Sequence, residues 1–200
     1  MAISTSTPIT APSPVFGQRQ ADAPSSAGEI VATTLRLDLR RLRDSDAALI
    51  QPLADNWDIA RQTINLPHPY SLDHARRLIA AAAVAASRGE EQVFAISRRG
   101  DGALIGLAGL ITDVLPPEAG YWIGAPNWGQ GFASEALGAV CNYALRTLDC
   151  ARIDAVAFGD NLASIRVLEK CGFQHLRDVE EDIPARGGIR TVRHYRWAPG

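Results

Sequence analysis

Apolar positions along the chain change their period several times, and each change marks an element. In VATTLRLDLRRL, Leu35, Leu37 and Leu39 alternate with Arg36, Asp38 and Arg40, the period of a half-exposed strand. Asp44 or Ser45 can cap a helix running to about Asp55, with Ala47, Ala48 and Leu49 as helix formers. A proline-bounded loop follows, holding Trp57 and then NLPHPYS from Asn65 to Ser71. Ser71 is placed to cap LDHARRLIAAAAVAASRG, whose end is signalled by Gly89 and whose alanine stripe reads as close packing of a helix on a sheet. EQVFAISRR and GALIGLAGLIT form a strand pair across Gly100 to Gly102, LPPEAG breaks the pattern, and YWIGA is a short strand stopped by Pro126. In GFASEALGAVCNYALRTL, Ala133, Ala136, Leu137, Val140, Ala144 and Leu148 share one helical face. RIDAVAF is a strand, NLASIRVLEKCG a helix between Asn161 and Gly172, and the rest two strands about Gly187 and Gly188. The predicted order, β-α-α-β-β-β-α-β-α-β-β, describes an α/β fold with a mixed central sheet flanked by helices rather than regular βαβ repeats.

Composition bounds the organisation. Residues 1–30 are dominated by Ser, Thr, Pro and Ala and bury too little apolar surface to offset ordering entropy, so they are expected to form a flexible leader. Residues 31–200 are then one domain, large enough for a single sizeable core. With 20 Lys and Arg against 22 Asp and Glu, the formal charge of −2 supplies no global steering toward nucleic acid or an anionic membrane, so any phosphate site must be local. Cys141, Cys150 and Cys171 cannot all pair within one chain and show no zinc-knuckle or CxxC spacing, as expected of reduced thiols in a cytoplasmic protein. The longest apolar run, Leu78 to Ala86, is about half of what a bilayer requires, and the amino-terminus has no signal-peptide pattern.

The sharpest local signal is YWIGAPNWGQGFASEAL, from Tyr121 to Leu137. A strand stops at a proline, Gly129 and Gly131 permit a tight turn, and a helix begins at once. Such a turn aims unpaired amides at a helix's positive end, an arrangement suited to a diphosphate without any lysine. A Walker A loop is excluded because no Gly-Lys-Ser/Thr follows, and the dinucleotide fingerprint fails at its third glycine. By spacing alone, an ordinary strand-to-helix turn explains the two glycines equally well.

Together, TLRLDLRRLRDSDA, LPHPYSLDHA, EAGYWIGAPNWGQGFASEA and NLASIRVLEKCGF resemble the GNAT superfamily of acyl-CoA-dependent N-acetyltransferases, and within it the RimJ/RimL type that acetylates protein amino-termini. The likeness runs from about Thr34 to Trp197. It implies acetyl-CoA as acyl donor, with a pyrophosphate loop at Trp128, Gly129, Gln130, Gly131, Phe132, Ala133 and Ser134. Trp128 stands where the family usually has Gln or Arg. It further implies a pantetheine arm along Trp122, Ile123 and Gly124 with a free amide near Trp122 or Ile123, and a polar contact from Asn161. An acetyl thioester needs a deprotonated amine, an oxyanion donor and protonation of the departing thiolate. The resemblance makes Glu118 the candidate base, and Ser164 the candidate acid, because Leu168 occupies the position where many members have a tyrosine. Trp57, His68 and Tyr70 fall where the resembling enzymes border the acceptor.

Other residues have plainer readings. Glu135 is a first-turn helix acid, Cys171 a packed thiol, and the four histidines, His68, His74, His175 and His194, lie at no metal-ligand spacing. Arg186, Arg190, Arg193 and Arg196 make a locally basic hairpin that could be a solvated face, a contact to the CoA phosphate or an RNA surface. The leading expectation is direct acetyl transfer to a primary amine, on a protein amino-terminus or a small molecule, by a monomer or homodimer. A non-catalytic CoA-binding or regulatory module is the alternative; neither a membrane nor nucleic acid is expected as partner.

Overall fold

The computed structural model describes residues 27–199, so all but the end of the expected leader lies outside the described residues. The chain runs β1 (Ile30–Thr33), β2 (Leu37–Arg41), α1 (Ala47–Ala54), α2 (Trp57–Ala60), α3 (Leu72–Arg88), β3 (Glu91–Arg98), β4 (Leu104–Ile111), β5 (Glu118–Ile123), α4 (Phe132–Thr147), β6 (Ile153–Phe158), α5 (Leu162–Lys170), β7 (Gln174–Ile183) and β8 (Gly188–Trp197). One eight-stranded sheet has the order β1-β2-β3-β4-β5-β6-β8-β7. Every neighbouring pair is antiparallel except β5 and β6. The periodicity predicts a mixed, helix-flanked sheet; the resemblance to the GNAT superfamily adds that it is mostly antiparallel, and the observed sheet is both.

Two elements add to the predicted order. The first predicted strand is in fact two, because Thr34 turns the chain: its amide donates to the Leu37 carbonyl (2.8 Å) and its Oγ1 accepts from the Leu37 amide (2.9 Å). Leu35 therefore points outward at the turn, 85% exposed, instead of continuing the alternation. The loop around Trp57 contains the short helix α2, capped by Asn56 Oδ1, which accepts from the Asp58 amide. Ahead of α1, a 3-10 turn covers Asp44–Asp46, and the capping acid is Asp46 instead of Asp44 or Ser45. Its carboxylate accepts from the Arg43 amide and forms a buried bidentate pair with Arg40 at 2.7 and 2.8 Å. Ser71 and Gly89 bound α3 as expected, the former accepting from the His74 amide and the latter left-handed.

Helices cover both faces of the sheet. Leu37, Leu39, Phe94, Ile96, Ile123 and Ile153 pack with α4 and α5 on one side. Ala95, Leu104 and Leu107 pack with Ala47, Ile50, Ala75 and Ile79 of α1 and α3 on the other. Of α3, Ala75, Ile79 and Ala82 are buried while Ala80, Ala81 and Ala83 are exposed, so the alanine stripe packs on the sheet only in part; among the described residues no helix is long and apolar enough to cross a membrane.

Candidate active site

The sheet opens between its two parallel strands. β5 and β6 share a single register pair, Glu118 with Asp154, supported by the Asp154 amide donating to the Pro117 carbonyl (2.8 Å). Beyond that pair the strands part. The β4–β5 ladder is unbroken, and the Gly124 amide donates to the Ile105 carbonyl. Antiparallel alternation then turns the main chains of Gly124, Trp122 and Gly120 toward β4, and those of Ile123 and Tyr121 toward the opening. Of the two amides expected to face a thioester, the one on the open edge is Ile123; that of Trp122 is committed to the sheet. The Ile123 carbonyl, on the same edge, accepts from the Trp128 indole at 2.6 Å. Trp128 thus closes the top of the open strand while remaining half exposed.

At that top lies the glycine turn. Gly129 and Gly131 have φ of 72° and 79°, and no atom of the described residues lies within 4 Å of where a Gly129 side chain would begin; at Gly131 the nearest is an Arg36 guanidinium nitrogen at 3.6 Å. Gly131 is the N-cap of α4 and offers no side chain, so the first-turn amides of Phe132, Ala133 and Ser134 receive no cap. Phe132 itself is buried, with the Arg36 guanidinium 4.5 Å above its ring. Gln130 folds back on the Pro126 carbonyl.

Glu135 fastens this turn to the rest of the sheet. Its carboxylate accepts from Thr34 Oγ1 (2.6 Å), the Arg36 amide (2.8 Å) and Arg36 Nε (2.7 Å), while Arg36 Nη1 holds the Gln130 carbonyl (2.9 Å). Burial alone would raise its pKa, but the Thr34 and Arg36 contacts prevail and hold it below the ordinary carboxylate range. A depressed folded-state pKa stabilises the protein above the unfolded value and loses that contribution as pH falls through the folded one. Glu135→Ala is therefore expected to cost about 1–2 kcal/mol at pH 7, Arg36 being partly solvent-screened. The gap in thermal melting between variant and parent is expected to close at acid pH.

The two faces of β5 carry different chemistry. Glu118 and Trp122 lie on the α1/α3 side, Ala119, Tyr121 and Ile123 on the α4/α5 side. Burial first, then the neighbouring charges of Asp154 and Glu181, push the Glu118 carboxyl up. Asp154 is neutralised by Arg196 at 2.7 and 2.8 Å, and Glu181 lies 3.5 Å from His194 Nε2. On the opposite face, Tyr121 Oη and Ser164 Oγ are 2.9 Å apart, and the Ser164 amide donates to Asn161 Oδ1 (3.1 Å). Leu168 is in the core, 1% exposed.

The expected acceptor border divides. Trp57 is 52% exposed and stands 5.5 Å from the His68 ring, whose Nδ1 is 3.4 Å from Asp55. Tyr70 is instead a core residue, 2% exposed, because its side chain packs among Ile50, Ala75 and Ile79 while only its amide reaches Asp55. The basic hairpin is internally paired. Arg186 donates to the Thr63 carbonyl (2.7 Å) and to that of Leu66, Arg190 to Asp160 (2.8 and 3.0 Å), Arg196 to Asp154, and Arg193 lies 3.8 Å from Asp178. These guanidiniums anchor the fold, and Arg186 ties the tip of the β7–β8 hairpin to the loop after α2. No cluster of His, Cys, Asp and Glu able to hold a metal occurs among the described residues. Cys171 donates to the Ser134 carbonyl and burial raises its pKa, as for a packed thiol.

A strand edge with no partner among the described residues, ending in uncapped amides, is the setting for an extended ligand with a phosphate at one end. The model of the Acetyltransferase (GNAT) domain family matches residues 36–174. The chain belongs to the GNAT acetyltransferase family. A curated relative, the uncharacterized N-acetyltransferase YoaA of Bacillus subtilis (strain 168), is 35% identical over 147 residues, covering 72% of this chain and 82% of the relative. Among solved structures, RimL, a ribosomal alpha-N-protein acetyltransferase in complex with coenzyme A, superposes with a TM-score of 0.75 at 21% identity, over 85% of this chain and 98% of its own. Spermidine N-acetyltransferase from Vibrio cholerae, in complex with CoA and spermine, gives 0.70 at 23% identity, over 81% and 95%. In this GNAT acetyltransferase the residues fit an acyl-CoA: two glycines with open space above them, three uncapped amides, and an unpaired edge leading away. The sequence alone did not single out Tyr121 or Arg36, and it marked Arg186 only as one charge of the basic hairpin, without its contacts to the loop after α2. Tyr121 could have been found by alternation, since it shares parity with Ala119 and Ile123; the other two act through contacts about a hundred residues distant.

Proposed function

We propose that this chain is an N-acetyltransferase of the RimJ/RimL type, moving an acetyl group from acetyl-CoA to a primary amine by direct attack, with a polypeptide amino-terminus as the acceptor put first. The carrying observation is the β5–β6 opening, with Glu118 at its closed end and the glycine turn at its other. Acetyl-CoA supplies an already activated acyl thioester. The main chain from Gly129 to Ser134 would hold the pyrophosphate, and the Ile123 amide, on the open edge, would be the donor offered to the thioester oxygen. Glu118 takes the amine proton from the α1/α3 side, its raised pKa making it a better base at neutral pH. Ser164 supplies a proton to the departing sulfur from the α4/α5 side, and Asn161 fixes the turn that presents it.

Trp57 and His68 border the acceptor on the side where Glu118 lies, and Arg186 holds the loop that carries His68. Arg186→Ala is expected to raise the acceptor KM roughly tenfold, about 1.4 kcal/mol, with acetyl-CoA affinity unchanged. Initial-rate kinetics with both substrates varied check this. The acceptor class is tested by thiol release from acetyl-CoA with three arms: peptides with free amino-termini, polyamines and single amino acids. Preference for peptides in kcat/KM supports the reading; polyamine preference replaces the acceptor; no turnover with any amine favours a CoA-binding module.

A further inference from the structure

Ser164 has one proton to give and a hydroxyl that rotates freely unless something holds it. The described residues supply one side-chain partner for that hydroxyl: Tyr121 Oη, 2.9 Å away on the neighbouring strand. The Tyr121 main chain faces the opening between β5 and β6, while its ring packs into the core beneath α4. We infer that Tyr121 is a positioning residue for acetyl transfer, donating its hydroxyl proton to Ser164 Oγ so that the Ser164 proton is directed at the leaving sulfur. The inference rests on the reading of Ser164 as the acid.

Either hydroxyl can donate across this contact, and Tyr121 is taken as the donor because that direction leaves the serine proton free for the sulfur. Burial drives the Tyr121 pKa upward, well above neutral pH, so the phenol remains a neutral donor. With one lone pair of Ser164 Oγ taken by Tyr121, the serine O–H is left to point elsewhere. As the carbon–sulfur bond breaks, its electron pair stays on sulfur, and the Ser164 proton passes to that sulfur. The negative charge then developing on Oγ is met by the Tyr121 hydrogen bond; Tyr121 loses no proton, and Ser164 recovers its own from solvent. The amine proton released as the carbon–nitrogen bond forms goes to Glu118. Tyr121 therefore acts through Ser164, in the place left by Leu168, which is buried and has no proton to give.

A double-mutant cycle tests the pair. Tyr121→Phe, Ser164→Ala and the double variant are compared by single-turnover acetyl transfer, with acetyl-CoA affinity by calorimetry and acceptor KM measured alongside. Tyr121→Phe is expected to slow the single-turnover rate about three- to tenfold, the equivalent of one neutral hydrogen bond, with affinity and acceptor KM unchanged. The double variant is expected to be no slower than Ser164→Ala alone. A wild-type rate for Tyr121→Phe beside a slow Ser164→Ala overturns the inference and leaves the serine in place. Independent, multiplying losses also overturn it, since Tyr121 would then not act through Ser164. A wild-type rate for Ser164→Ala removes the acid itself, and the inference with it. Should Tyr121→Phe fail to fold, 3-fluorotyrosine at position 121 keeps ring and hydroxyl and donates more strongly; a faster single turnover supports the pairing and an unchanged one overturns it.

Discussion

Gly131→Val is expected to weaken acetyl-CoA binding by about two orders of magnitude, roughly 2.7 kcal/mol, while leaving the folded sheet intact. Two effects add at this residue. A β-branched side chain at φ of 79° is strained by on the order of 1–3 kcal/mol, so the turn relaxes away from its present course. The space above Gly131 is open apart from Arg36, and the added methyl groups occupy it where a phosphate would approach the amides of α4. Calorimetric titration reads the affinity, and melting curves confirm that the variant is folded. In the parent protein, acetyl-CoA is expected to raise the melting temperature much more than NAD or ATP at equal concentration. Equal acetyl-CoA affinity in parent and folded variant would place the pyrophosphate elsewhere.

Glu118→Gln is expected to lower kcat by about 10² to 10⁴, with little change in acetyl-CoA affinity. The defect is expected to shrink toward high pH, where the amine arrives already neutral. Stability supplies a second reading with the opposite sign. Burial and the charges of Asp154 and Glu181 raise the Glu118 pKa in the folded protein, so the ionised carboxylate costs stability above the unfolded value. The parent is thus expected to lose stability relative to Glu118→Gln as pH rises through that raised pKa, and the two to converge in acid. A variant that is slower yet melts higher at neutral pH marks a carboxylate held for chemistry at a cost to the fold. An unchanged pH–rate profile would remove Glu118 from the reaction.

The elements that were readable in the sequence are those whose signal is local. α3 carries its own cap at Ser71 and its own stop at Gly89, and α5 does the same with Asn161 and Gly172. The β1–β2 turn was not readable because no glycine or proline punctuates it; a threonine side chain makes the bend by bonding to Leu37. Tyr70 lies beside polar and proline residues in a loop, and only the packing of α1 against α3 shows that its ring is buried. The same limit applies at the site. The glycine turn is contiguous and so legible, whereas the meeting of Tyr121 with Ser164 and the pairing of each hairpin arginine depend on strand order, which no spacing encodes. Charge counting could not reveal that the basic hairpin is spent on internal contacts.

The open edge of β5 and the turn above it present peptide groups rather than side chains to whatever lies along them. Side-chain drift passes over such a surface, since any residue supplies the same N–H and C=O provided the strand keeps its course. What inheritance has to guard is narrow: two glycines, a helix start left bare, and a pair of strands that meet at one place and then decline to pair. In the proposed reading the acceptor side is written differently, in Trp57, His68, Glu118 and a loop tied down by one arginine, where each replacement would change what is recognised. Donor and acceptor preferences can therefore diverge at separate rates in descendants of one chain.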